Sequence, residues 1–310
     1  MRGSVDLVTR VGPVVLANPV MTASGTAGHG AELSAYVDLA RLGAVVVKSL
    51  SAEPWAGNPA PRVHETEAGM LNSVGLQNPG VEVWLAEELP PLLATGARVV
   101  ASIWGTTVAG YEKAAAALAS APDSVVAVEI NLSCPNLEGG RHMFATDPSA
   151  TREAVEAVGG ACRRPVWAKL SPNVTDIVQI AAAARAGGAS ALTLVNTVKG
   201  MAIDPTTRRP TLGAGGGGLS GAAIRPVAVR AVFDVHQALP DIALVGVGGV
   251  ATGEHAVELL LAGATAVQVG TATFEDPRAA ARVLHELDAW CRRHRVARAA
   301  DLVGQAHGAP

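Results

Sequence analysis

The chain has 310 residues, 49% of them hydrophobic and 16% charged, and a net charge of -3. That length is enough to bury a large core, and so small a charge gives no electrostatic footprint for nucleic acid or an anionic membrane. No apolar run approaches the roughly 18 residues of a bilayer span, residues 1–10 lack a signal-peptide core, and the widely spaced Cys134, Cys162 and Cys291 make no disulfide framework, so a cytoplasmic location is expected.

In chain order, short apolar runs fall at residues 18–23, 44–50, 98–104, 125–132, 165–170, 191–196, 242–247 and 265–270. Each is rich in Val, Ile, Leu or Ala and none alternates cleanly, the pattern of parallel strands buried on both faces. Segments with helical spacing lie between them. Residues 32–42 put Leu33, Tyr36, Val37 and Ala40 on one side. Residues 175–186 carry Ile177, Ile180, Ala181 and Ala184 before a stop at Gly187 and Gly188. Residues 253–262 carry Ala256, Val257, Leu260 and Leu261, and a last helix is expected over 277–298 with a basic, solvated end. Strand and helix alternating eight times predict an α/β fold, a (β/α)8 TIM barrel forming one domain over residues 1–310, with long βα loops at its C-terminal face. A doubly wound open sheet is the competing arrangement. The glycine-rich run 212–219 follows the sixth strand and reads as a loop or lid. Its formal G-x-G-x-x-G match neither follows a strand nor opens a Rossmann unit.

In such barrels chemistry sits at the C-terminal strand ends. Here those ends are Ser24, then Lys48 and Ser49, then Ser102, Asn131, Lys169, then Asn196 and Thr197, then Gly248 and Gly249, and last Gly270 and Thr271. Lysines inside apolar runs are costly unless something anionic meets them. One reading is a structural salt bridge in the barrel mouth, for which Glu129, two residues before Asn131, is the available acid. The other is an anionic ligand. Glycines after the seventh and eighth strands offer backbone N–H groups where barrels bind phosphate, and with Lys48 and Lys169 they suit a phosphate-bearing cofactor with a polar ring, such as flavin mononucleotide. No histidine pair has metal-ligand spacing, and no metal is expected.

Longer motifs sharpen this. After the second strand come Gly-Asn-Pro-Ala-Pro-Arg-Val (57–63) and Gly-Met-Leu-Asn-Ser-Val-Gly-Leu-Gln-Asn-Pro-Gly (69–80). After the fourth comes Asn-Leu-Ser-Cys-Pro-Asn (131–136), and with the fifth Lys-Leu-Ser-Pro-Asn-Val-Thr-Asp (169–176). The sixth gives Asn-Thr-Val-Lys-Gly-Met-Ala-Ile-Asp (196–204) and later Gly-Leu-Ser-Gly (218–221). Together these resemble class 1 dihydroorotate dehydrogenases, and most of all the class 1B catalytic subunit, over nearly the whole chain.

The resemblance implies oxidation of (S)-dihydroorotate to orotate in pyrimidine biosynthesis, with a hydride passing to FMN N5 and the C5 proton to Cys134. It implies FMN contacts at Ser24, Lys48, Ser49, Ser102, Asn131, Lys169, Val195, Gly221, Gly248, Gly249, Gly270 and Thr271. It implies substrate contacts at Lys48, Asn72, Ser73, Val74, Gly75, Leu76, Asn131, Asn136, Asn196 and Thr197. Amide side chains suit a ring with carbonyl and N–H edges, because each offers donor and acceptor without added charge. Ser102 departs from the family, which usually has Asn there. Cys162 and Cys291 read as small buried hydrophobes. The chain has no cysteine cluster for iron–sulfur binding, so the resemblance implies a homodimer, or a heterotetramer with a partner subunit that carries FAD and a [2Fe–2S] cluster and passes electrons to NAD. Competing readings are a class 1A fumarate-reducing enzyme, a dihydropyrimidine dehydrogenase-like enzyme, whose corresponding loop usually has His where this chain has Asn136, and a non-catalytic flavin-binding paralogue.

Overall fold

The computed structural model describes residues 4–133 and 143–308. Eight parallel strands form one sheet: β1 (Val20–Thr22), β2 (Val45–Val46), β3 (Val99–Ile103), β4 (Val125–Asn131), β5 (Val166–Lys169), β6 (Ala191–Leu194), β7 (Ala243–Val247) and β8 (Ala266–Val269). Each lies inside one of the eight predicted runs. Sequence neighbours pair from β2 through to β8, and β8 pairs with β1. A parallel bridge between Met21 and Ala44, with the Thr22 N–H donating to the Ala44 carbonyl at 3.3 Å, joins β1 to β2 and closes the barrel. The open-sheet alternative therefore falls.

The missing alternation has a structural cause: both strand faces are buried, in different surroundings. Outward residues such as Val45, Val99, Ala101, Val128, Ile130 and Leu192 pack under the helices. Inward residues Met21, Val46, Val100, Ala127, Trp167, Ala191, Val245 and Ala266 fill the lower barrel. Two positions further along six of these strands, the interior turns polar with Lys48, Ser102, Glu129, Lys169, Thr193 and Gln268. Below, an antiparallel hairpin of Thr9–Val11 and Val14–Leu16 plugs the barrel, with Val11, Val14 and Leu16 joining the lower interior. That plug was not anticipated from the sequence.

Helices Val108–Ala117, Pro148–Ala161, Ile177–Ala186, Arg225–Ala238, Gly253–Ala262 and Ala279–Arg293 surround the sheet. Thr107, Asp147, Asp176 and Thr252 cap four of them by accepting backbone N–H bonds, each cap worth about 1 kcal/mol. The helix expected over 32–42 is instead two 3₁₀ turns, Glu32–Ala35 and Leu39–Arg41. Asp38 is extended between them and its carboxylate accepts from the Ala40 N–H, which starts the second turn afresh and leaves Tyr36 on the surface. The last helix stops at Arg293, where His294 stacks back on Trp290.

The 212–219 run is not all loop. Gly217–Ser220 is the second strand of a four-stranded antiparallel sheet, with Val198–Gly200, Gly69–Asn72 and Val63–Thr66, that lies over the C-terminal end of the barrel. Gly218 pairs with Asn72 on one side and Lys199 on the other. It is glycine for want of space, since a Cβ there would overlap the Thr197 side chain. Among the described residues no helix is long and apolar enough to cross a membrane.

Candidate active site

Between the barrel's C-terminal end and this small sheet lies a cavity enclosing about 1030 Å³, its open mouth included. Its floor and walls come from the strand ends. Ser24, Lys48, Ser49, Asn131, Lys169 and Val195 all line it, as do Asn196 and Thr197 beyond β6. Gly221, Gly248, Gly249, Gly270 and Thr271 form one side of the rim. From the sheet above, Asn72, Val74 and Leu76 face the same space.

Three described site residues expected from the sequence are not among its lining. Ser102 is fully buried one layer down, where its hydroxyl shares a 2.9 Å hydrogen bond with Ser49. Ser73 and Gly75 turn to the loop that precedes the sheet: the Asn58 amide donates to the Ser73 hydroxyl at 2.9 Å, and a Cβ on Gly75 would run into Asn58. Cys134 and Asn136 lie outside the described residues. Sequence reading missed Val63, Met70 and Ser220 on the small sheet, Val247 on β7 and Phe274 beyond β8. The inward period of β7, Val245 then Val247, signals one of them. The others depend on the small sheet and on a short helix, Ala272–Glu275, that no sequence pattern announced.

Hydrogen bonds fix the polar floor. Ser49 sits between Ser24, at 3.1 Å, and Ser102. The Asn131 amide nitrogen donates to Ser49 Oγ at 3.4 Å, while its Oδ1 accepts from Asn196 Nδ2 at 3.0 Å and from the Ser133 N–H at 3.2 Å. From behind, the Tyr111 hydroxyl donates to the Asn131 carbonyl at 2.7 Å. One amide thus ties together β2, β4, the connection after β6 and the start of the loop that carries Cys134. The Asn196 Oδ1 accepts from the Thr197 N–H at 2.8 Å, and the Asn72 amide donates to the Gly218 carbonyl at 3.2 Å. Such hydrogen bonds hold these amides in fixed orientations at the cavity.

The salt bridge allowed for in the sequence exists. Lys169 Nζ lies 3.6 Å from Glu129 Oε1, with the lysine side chain 7% exposed and the glutamate 0%. Yet Lys169 also lines the cavity, so the pair does not remove its charge from the site. Lys48 stands beside Gly25, whose added Cβ would lie 3.8 Å from Nζ. Burial, and then the Lys48 charge, hold the imidazole of His29 below the ordinary histidine range.

The glycine rim has a geometry only glycine supplies. Gly221, Gly248 and Gly249 have φ of +95°, +133° and +72°. A Cβ on Gly249 would lie 2.6 Å from the Arg225 Cβ and 3.0 Å from the Gly221 carbonyl. Bare backbone at strands seven and eight, a buried ammonium on the floor and amides opposite could hold a phosphate-bearing, polar-ringed ligand. Among the described residues no cluster of His, Cys, Asp or Glu is arranged for a metal ion. Cys162 and Cys291 are buried away from the cavity, and burial raises the Cys291 thiol above its usual range.

A model of the dihydroorotate dehydrogenase family matches residues 6–290. The chain is 48% identical over 300 residues to the dihydroorotate dehydrogenase B (NAD(+)) catalytic subunit of Alkaliphilus oremlandii, covering 97% of this chain and 98% of that protein. It is 49% identical over 303 residues to the protein of the same name from Desulforudis audaxviator, with 98% of each chain covered. The corresponding Geobacter sulfurreducens protein is 47% identical over 299 residues, covering 96% of this chain and 97% of that protein.

Proposed function

The chain belongs to the dihydroorotate dehydrogenase family, and on that premise we propose that its cavity is where dihydroorotate is oxidised to orotate as the catalytic half of an NAD-linked enzyme. The observation that carries this is the meeting, in one cavity, of the Gly248–Gly249 and Gly270–Thr271 turns with Lys169 and the Asn131–Asn196 amide pair. The family's flavin fits this donor set, and we assign it as FMN, one per chain. The positive-φ glycines would present bare N–H groups to its phosphate. Ser24, Ser49 and Asn131 would hold the ring's polar edge, with Lys169 at the end where negative charge collects on reduction. When bound there, the flavin supplies the acceptor for the hydride leaving C6 of the substrate.

The protein's own part is orientation and proton transfer. Asn72, Asn131, Asn136 and Asn196 would match the carbonyl and N–H edges of dihydroorotate, and Lys48 its carboxylate. Removing a hydride from C6 requires a base to take the C5 proton. Cys134 is assigned that role by the family resemblance, and in sequence it follows the cavity-lining Asn131 by three residues. A free thiol has a pKa of about 8.5, so its effectiveness rises with pH. The small sheet over the mouth shields the reacting atoms from bulk water.

The name of the relatives, catalytic subunit, points to a second subunit. We assign to it FAD and a [2Fe–2S] cluster, with homodimers of this chain at the centre of a heterotetramer in the cytoplasm. An acceptor comparison tests this reading. The isolated chain should turn over dihydroorotate with an artificial dye but not with NAD, and NAD reduction should appear on adding the partner. Strong turnover with fumarate, or reduction of uracil in place of dihydroorotate oxidation, would contradict it.

A further inference from the structure

One buried acid beneath the cavity has no part in that chemistry. Glu129 points into the barrel from β4 and is 0% exposed. Its Oε2 accepts from the Thr193 hydroxyl at 2.9 Å and from the Gln268 amide at 2.7 Å. Among the described residues its Oε1 has no hydrogen-bond partner, and it faces Lys169 Nζ at 3.6 Å. Each neighbour is a donor or a cation, an environment built for a carboxylate rather than a carboxylic acid.

As a structural device the arrangement is poor. A buried ion pair commonly adds less stability than apolar residues of similar volume, and an orphaned carboxylate oxygen adds to the cost. The 3.6 Å separation is also too long for a charge-assisted hydrogen bond, which runs about 2.7–2.9 Å. Glu129 therefore holds the ammonium by its field without engaging its protons. Thr193 and Gln268, from β6 and β8, fix the carboxylate in turn, so the pair is anchored on four strands and, among the described residues, reaches the cavity through Lys169 alone.

We propose that Glu129 is a positioning residue that sets the place and effective charge of Lys169, and through it the reduction potential of the bound flavin. The proposal rests on the reading that the flavin lies against Lys169. Lys169 favours the reduced, negatively charged flavin, and Glu129 attenuates that preference. Holding the potential down keeps electrons moving outward to an acceptor rather than resting on the cofactor.

The test is the two-electron midpoint potential of the holoenzyme, measured by dye equilibration. Glu129→Gln preserves shape while removing the charge. It should retain flavin and shift the oxidised–reduced equilibrium about tenfold toward the reduced form, about 30 mV for a two-electron couple. The same substitution in a Lys169→Met background should shift it less than about twofold. Thr193→Val, close in shape and missing only one bond to Glu129, leaves the carboxylate charge less compensated and should move the potential in the opposite direction by a smaller amount, and it decides the matter should Glu129→Gln not fold. Unchanged potentials in the folded variants, or an equal Glu129→Gln shift with and without Lys169, would overturn the inference. An unaltered protein that binds no flavin would instead overturn the assignment of the cavity.

Discussion

Replacing Gly249 by alanine should weaken flavin binding far more than it loosens the fold. The residue has φ +72°, where an L side chain costs about 1–2 kcal/mol. The new Cβ would also sit 2.6 Å from the Arg225 Cβ and 3.0 Å from the Gly221 carbonyl, inside contact distance. Overpacking of that kind typically costs about 1–3 kcal/mol. The apoprotein can relieve the strain by letting the turn after β7 relax, but binding has to restore it. The combined penalty of about 2–5 kcal/mol then appears mainly in affinity, and at about 1.4 kcal/mol per tenfold it raises the FMN Kd by at least about 30-fold. Gly188→Ala is the control. Its φ is +94° but no atom lies within 4 Å of an added Cβ, and it is not part of the cavity lining. It should lower stability by about 1–2 kcal/mol and leave FMN affinity alone. Fluorescence titration of the apoproteins with FMN, beside thermal melts, separates the two effects. Equal FMN affinity in Gly249→Ala and the unaltered protein would refute the cradle.

Other substitutions probe the remaining parts. Cys134→Ala should keep bound flavin and lose at least about 100-fold in turnover at neutral pH, the usual worth of a general base; full turnover in stopped-flow reduction would remove the thiol from the mechanism. Leu16→Ala, at a fully buried position in the hairpin plug, should lower unfolding stability by about 2–5 kcal/mol in a urea titration without changing the flavin spectrum. Burial holds His236 and His255 below their ordinary value of 6.5, so the fold favours their neutral forms. Their contribution is present above pH 6.5 and is lost as pH falls below it, because the unfolded chain then binds more protons. Thermal melts should show a Tm that drops across that range, with a shallower drop in His236→Gln.

The barrel was legible because its strands are buried on both faces and so read as unbroken apolar runs. Lys48, Asn131 and Lys169 stood out for the complementary reason, since polar groups inside such runs demand a partner or a ligand. What escaped the sequence depends on tertiary context. Val11, Val14 and Leu16 are too few to signal anything until the barrel floor is there to receive them. Gly217–Ser220 has little strand propensity and is a strand through its pairing with Val198–Gly200 and Gly69–Asn72, while Gly218 is glycine for lack of room beside Thr197. Asp38 broke an apparently periodic helix by capping a turn in its middle. Ser102, expected at the ligand, lies buried beneath the cavity lining and is hydrogen-bonded to Ser49. Glu129 was visible as the acid available to a lysine, but its bonds to Thr193 and Gln268 join strands far apart in the chain.

The proposed function requires one cavity to bring flavin and dihydroorotate together. Anaerobic addition of dihydroorotate to the purified yellow protein, followed by absorbance near the flavin maximum, measures this directly. Full bleaching is expected, with one equivalent of orotate formed per chain. A bound flavin that keeps its colour in excess dihydroorotate would contradict it.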